Sequence, residues 1–175
     1  MPLTLLPDAD VGAILAPLDF PQAHPATFDE IEESFVTGSP FEAKRARLLN
    51  ALRLYVSVFD ALIPGSRYLV DGGFLTRKDW EPDDIDVLVI TPAGASDALD
   101  EQQRVEFAKL RTRVLDAVSR VCDKPMSGLV DAVVVDLSHD FVLRYSFDVF
   151  TTVRDRGHNV IQGRPKGLVE VIQGG

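Results

Sequence analysis

The sequence predicts an α/β (α+β) protein: a small mixed β-sheet packed against helices, with a helical N-terminal region. Three apolar stretches point to the sheet: Arg67–Asp71, Asp84–Thr91 and the Val-rich Leu129–Leu137. Segments whose apolar residues recur at a period near 3.6 precede and separate them. Strands alternating with amphipathic helices give a sheet covered on at least one face, and ligands in open α/β sheets gather at strand ends. The 175 residues favour one domain with a substantial core.

The elements follow in order. Pro2, Pro7, Pro17, Pro21 and Pro25 exclude a continuous helix over residues 1–26, leaving an apolar arm with a helical turn near Asp10–Leu15. Thr27-Phe-Asp-Glu30 is a capping box that opens a short helix running to about Val36 and ended by Gly38. Residues 1–38 therefore read as an arm and short helix packed on the domain, and 39–175 as the domain itself. Ser39-Pro-Phe-Glu42 predicts a second helix, with Pro40 at its first position. Its stripe runs through Leu48, Leu49, Leu52, Leu54, Tyr55, Val58, Phe59 and Leu62, and Pro64-Gly65 stops it. After the second strand, Ser96 or Asp97 caps a helix that is regular by Glu101. Val105, Phe107, Ala108, Leu110, Val114, Leu115, Val118 and Val121 continue it to Pro125. Phe141–Val153 reads either as a strand or, in its second half, as a short helix. Val160-Ile161 and Leu168–Ile172 read as a terminal hairpin or short edge elements.

Composition narrows the function classes. Hydrophobic residues at 46% and charged residues at 26% are ordinary for a globular chain. A net charge of −9, from 18 basic and 27 acidic residues, argues against non-specific nucleic-acid binding but leaves room for a local basic groove. Cys122 is the only cysteine, so no internal disulfide forms and a reducing compartment is expected. No apolar run nears the ~20 residues of a membrane span, and no basic residue precedes the Leu-rich start as it would in a secretory signal. A cytoplasmic protein without membrane contact is the expectation.

The chemistry concentrates in residues 69–91. An apolar strand runs into Gly72-Gly73, a polar loop follows, and Asp84-Ile85-Asp86 opens the next strand. Alternation along a strand puts Asp84 and Asp86 on one side, about 7 Å apart. Two carboxylates so placed repel each other, and a divalent cation relieves them; oxygen ligands suit Mg²⁺ or Mn²⁺, which also bind substrate phosphates. The glycines leave backbone N–H groups open to an anion. A chance Asp-x-Asp after a turn is the bland alternative.

Gly-Gly after a strand, then Asp-hydrophobic-Asp eleven positions on, resembles the signature of the nucleotidyltransferase superfamily, the DNA polymerase beta-like fold. Residues 71–89 resemble most a poorly characterised branch of small single-domain bacterial and phage proteins, reading roughly G-S-F-x-T-x-K-x-x-x-P-x-D-x-D. The similarity spans about Gly38 to Val171. The resemblance implies two-metal transfer of an NMP group from an NTP to a hydroxyl of RNA, tRNA or protein. It also implies a toxin–antitoxin or phage-defence setting with a cognate protein partner. Asp84 and Asp86 would hold the metals, and a third carboxylate on a later strand would help the attacking hydroxyl. Asp131 is the choice, since it shares a face with Val133 and Val135; Asp148 is the runner-up, and Asp136 points to the opposite face. Gly73 departs from the pattern, which has Ser there, so a phosphate would meet an N–H without a hydroxyl. A catalytically degenerate nucleotide- or partner-binding module, antitoxin-like, is the alternative. A glycosyltransferase Asp-x-Asp site explains the glycine turn poorly.

Around this unit, Thr76 offers a hydroxyl to phosphate or caps a local turn. Lys78 offers an ammonium or is a solvated loop charge. Trp80 stacks on a base or packs on the sheet. Arg154, Arg156, Arg164 and Lys166 form the main basic cluster, in a tail (Asp155-Arg-Gly-His158, Pro165-Lys-Gly167) that also resembles that branch. His24, His139 and His158 have no metal-ligand spacing, and Cys122 reads as structural at a helix end.

Overall fold

The computed structural model describes residues 3–116, 121–155, 157 and 159–172. The chain opens with a hairpin of β1 (Leu5–Asp8) and β2 (Gly12–Leu15), where a helical turn was expected. Next come β3 (His24–Ala26) and helix α1 (Phe28–Phe35). The Thr27–Glu30 capping box forms in full: Thr27 Oγ1 accepts from Glu30 N, and Glu30 Oε2 accepts from Thr27 N. Helix α2 (Glu42–Leu62) starts later than Pro40 because Phe41, at its N-cap, has a left-handed backbone (φ 61°), and the Ser39 hydroxyl donates instead to the carbonyls of Phe35 and Val36 at the end of α1.

β4 (Arg67–Asp71), a 3₁₀ turn at Gly73–Leu75 and β5 (Ile85–Thr91) follow. Helix α3 spans only Glu101–Lys109, capped by Asp100 in a box with Gln103. The predicted continuation to Pro125 is replaced by strands β6 (Arg113–Asp116) and β7 (Val121–Asp123). The chain leaves the helix because Thr112 docks on a sheet edge, its N–H donating to Ala132 O and its hydroxyl accepting from Ala132 N. Val114 and Leu115 are exposed there. Val118 lies outside the described residues, and Cys122 is exposed on β7 instead of at a helix end.

A single turn, α4 (Pro125–Gly128), leads into β8 (Val130–Asp136); Met126 and Ser127 in that turn have φ of 52° and 56°. Helix α5 (Asp140–Phe150) overturns the strand reading of the Phe141–Val153 stretch and begins earlier than the short helix expected in its second half, and β9 (Thr152–Arg154) pairs with β10 (Val160–Pro165). β11 (Val169–Val171), expected near an edge, lies inside the main sheet.

That sheet has the order β3–β11–β4–β5–β8. β3 and β11 are parallel, as are β5 and β8, while β4 is antiparallel to both its neighbours. Since β3 is the edge strand, residues 24–26 belong to the same sheet as the rest. Helices α1 and α2 cover one face through Ile31, Phe35, Leu48, Leu49, Leu52, Tyr55 and Phe59, all essentially solvent-free. Each such side chain contributes about 1.5–3 kcal/mol of burial free energy. Leu54 and Val58, at the margin of the predicted α2 stripe, remain exposed. Helix α5 covers part of the other face, setting Leu143, Phe147 and Phe150 on Leu69, Leu88, Ile90 and Val135. Among the described residues no helix is long and apolar enough to cross a membrane.

Candidate functional site

Strand register decides what meets on the α5 face. Asp71 of β4 stands opposite Asp86 of β5, and Asp86 stands beside Asp131 of β8. Three neighbouring strands thus present one carboxylate each at the same level. All three lie on the α5 face, because the alternate residues Val70, Val87 and Ala132 belong to the α2-side core. Asp84, two positions before Asp86, borders the same cleft. Asp136 sits at the far end of β8, accepting from Gly94 N and Ser138, and Asp148 lies on α5. Neither joins the group.

A cleft of about 690 Å³ opens over these carboxylates; Gly72, Gly73, Lys78, Trp80, Lys124 and Lys166 are among the residues that line it, with Val133, Val149, Phe150, Thr152 and Arg154. Its lining holds seven carboxylates against four cationic side chains.

Two lysines neutralise part of the group. Lys124 Nζ lies 2.5 Å from Asp84 Oδ2 and 2.6 Å from Asp131 Oδ2, bridging the two. Burial disfavours its charge, but the bonds to Asp131 and Asp84 prevail and raise its pKa. Lys166 Nζ lies 2.5 Å from Asp71 Oδ1, both residues being buried. Burial still raises the Asp71 pKa against the pull of Lys166. Asp86 has no ion-pair partner among the described residues. Desolvation first, then repulsion from Asp71, Asp84 and Asp131, push its pKa up to about 7. Lys78, with its Nζ 4.9 Å from the Trp80 ring centroid, has its pKa lowered by burial and by Lys166.

The glycine turn is built against Asp86. Gly72 has φ +84°, and a Cβ there would lie 1.7 Å from Asp86 Oδ2, so only glycine lets the carboxylate approach the backbone. Gly73 has room: a Cβ would meet nothing nearer than Lys78 Nζ at 3.8 Å and Pro82 Cβ at 3.9 Å. The turn is held from behind by Arg45 of α2, which is wholly buried. Arg45 donates to the carbonyls of Phe74 (2.6 Å), Thr76 (2.7 Å), Pro40 (2.8 Å) and Phe35 (3.3 Å). No carboxylate pairs with it among the described residues, and burial, aided by Arg77, lowers its pKa to about 10.

Of the residues singled out from sequence, Asp84, Asp86, Asp131, Gly72, Gly73, Lys78 and Trp80 all line the cleft. Thr76 does not. It is buried and its hydroxyl donates to Gly73 O, within the turn. Within the basic cluster, Arg154 and Lys166 reach the cleft, whereas Arg164 is engaged with Asp8 and Asp10. Arg156 and His158 lie outside the described residues. Sequence reasoning missed Asp71, Lys124 and Arg45. Asp71 carried a signal, because it directly precedes the glycines and shares strand parity with Leu69.

The donor set of Asp84, Asp86 and Asp131, with Asp71 adjoining, consists of oxygens only and fits a hard divalent cation by chemistry. Among the described residues no three carboxylates already surround one point at ligating distance; Lys124 lies between two of them. The site defines the chain as a mixed α+β protein with an acidic, glycine-bordered cleft at its strand ends. It belongs to the Family of unknown function (DUF6932), which it matches over residues 7–172. No curated protein and no solved structure matches it.

Proposed function

We propose that the protein is a metal-dependent nucleotidyltransferase that moves an NMP group from an NTP to a hydroxyl on RNA, tRNA or protein. The observation that supports it is the meeting of Asp84, Asp86 and Asp131 with the Gly72–Gly73 turn in one cleft. Asp84, Asp86 and Asp131 would hold Mg²⁺ or Mn²⁺, which supplies charge neutralisation for the phosphates and the departing pyrophosphate. The backbone at Gly73 and the Lys78 ammonium would steady the phosphate chain. Asp131 would orient the attacking hydroxyl. Trp80 and Phe150 offer flat apolar surface for a base. An excess of cleft carboxylates suits a substrate that arrives with divalent cations. A cytoplasmic toxin–antitoxin or phage-defence role, with a cognate protein partner, accompanies this reading through the same sequence resemblance.

The test is transfer of label from α-phosphate-labelled NTPs to RNA, tRNA or protein in Mg²⁺ or Mn²⁺. Transfer by the wild type that Asp86→Ala abolishes supports the reading, and no transfer to any acceptor class counts against it. One observation favours the second reading, a degenerate nucleotide- or partner-binding module: Lys124 already bridges Asp84 and Asp131. Nucleotide binding without turnover would select it.

A further inference from the structure

Lys124 is placed in a way the nucleotidyltransferase resemblance does not anticipate. Its single ammonium bonds one oxygen of Asp84 and one of Asp131, at 2.5 and 2.6 Å. These two carboxylates stand on different segments, at the start of β5 and on β8, and among the described residues no other cation joins them. Lys166 pairs with a separate carboxylate, Asp71, and among the described residues no ion pair reaches Asp86. The positive charge in the cleft is thus distributed so that one lysine spans the pair a divalent ion would also need.

We propose that Lys124 is an internal cation competing with the divalent metal for Asp84 and Asp131, so that metal binding requires its withdrawal and Lys124 sets the metal affinity of the site. The inference rests on the metal-dependent reading above. A point charge on a flexible stem can occupy such a position and leave it; each carboxylate keeps a second oxygen, but a divalent ion seated between the two would face the ammonium at close range, and that repulsion sets the two cations in competition. Lys124 immediately precedes the α4 turn, in which Met126 and Ser127 hold consecutive left-handed conformations. Lys124 itself is partly open to the cleft, with 27% of its side chain exposed, so the ammonium has a path to solvent. The device would keep the carboxylates paired in the free protein and open the site when metal arrives with its nucleotide.

The experiment is titration of Mn²⁺ into the full chain, followed by the electron paramagnetic resonance of free Mn²⁺, for wild type, Lys124→Met and Lys124→Arg. Lys124→Met should bind Mn²⁺ more tightly, on the order of tenfold, because two charge-assisted bonds no longer have to be broken first. Lys124→Arg should bind no more tightly than wild type. In the wild type, Mn²⁺ should increase modification of Lys124 by an amine-reactive reagent, scored by mass spectrometry against the exposed Lys109. This second readout needs no variant to fold. Mn²⁺ binding that is equal or weaker in Lys124→Met, or Lys124 labelling that Mn²⁺ leaves unchanged or lowers, overturns the competition while leaving a metal site in place. Absence of Mn²⁺ binding to every form overturns the metal-dependent reading and this inference with it.

Discussion

Two adjacent glycines make opposite predictions. Gly72→Ala places a methyl group where Asp86 Oδ2 now lies, in a backbone with φ +84°. With ψ −165° the backbone lies in a region essentially confined to glycine, which costs another residue roughly 1–3 kcal/mol. Asp86 must also leave its rotamer, at about 0.5–1.5 kcal/mol. Its Cβ would stand only 3.2 Å from the new methyl, so a small rotation does not suffice. The sum, about 1.5–4.5 kcal/mol, lowers the midpoint of thermal unfolding by roughly 3–18 °C in a chain of this size. Gly73→Ser lies outside the left-handed region and meets only ordinary contacts at 3.8 and 3.9 Å. Its stability should change by no more than about 0.5 kcal/mol. Differential scanning calorimetry on both variants checks the pair, with Mn²⁺ titration as a second readout. Gly72→Ala should lose metal affinity through the displaced Asp86, whereas Gly73→Ser should retain it and bind NTP at least as well as wild type. A Gly72→Ala protein that melts with the wild type and binds Mn²⁺ equally would refute the close approach of this turn to Asp86.

Two other perturbations test the supports of the site. Arg45→Met removes the donor to four carbonyls, leaving those of Phe74 and Thr76 buried without partners; urea unfolding should show a loss of about 3–5 kcal/mol, and an unchanged midpoint would contradict that role. The raised pKa of Asp86 gives a pH dependence with a definite sign. Between the ordinary carboxyl value of 3.8 and about 7, folded Asp86 retains a proton that the unfolded chain releases, so metal-free stability falls as pH rises through that window. The shift corresponds to at most about 4 kcal/mol. Asp86→Asn should flatten the slope and, in EDTA at pH 8, melt above the wild type; a variant melting lower there would show that Asp86 is not the strained group.

Legibility in the sequence followed range. The capping box at Thr27–Glu30, the strand Arg67–Asp71 and the face shared by Asp131, Val133 and Val135 depend on spacings of a few residues, and each is present in the structure. The 113–123 hairpin was misread because Val114, Leu115, Val118 and Val121 also fit a helical period. The deciding contact, Thr112 on the β8 edge, is made 20 residues away. Lys124 meets Asp84 across 40 positions and Lys166 meets Asp71 across 95, and no local pattern encodes such pairings. Arg45 looked like a polar residue of an amphipathic helix, since nothing in its neighbourhood indicates that its partners are main-chain carbonyls of a loop 29 and 31 residues on. Thr76 was legible only as two alternatives, and its hydroxyl donates within the turn.

The proposed function requires that Asp84 and Asp86 hold a divalent ion on which nucleotide binding depends. Calorimetric titration of the four NTPs, each with Mg²⁺ or Mn²⁺, into wild type and an Asp84→Ala/Asp86→Ala double variant tests it most directly. Metal-dependent binding of at least one NTP by the wild type, lost in the folded double variant, is the predicted result. No NTP binding by the wild type with either metal, or binding that survives the double substitution, would contradict it.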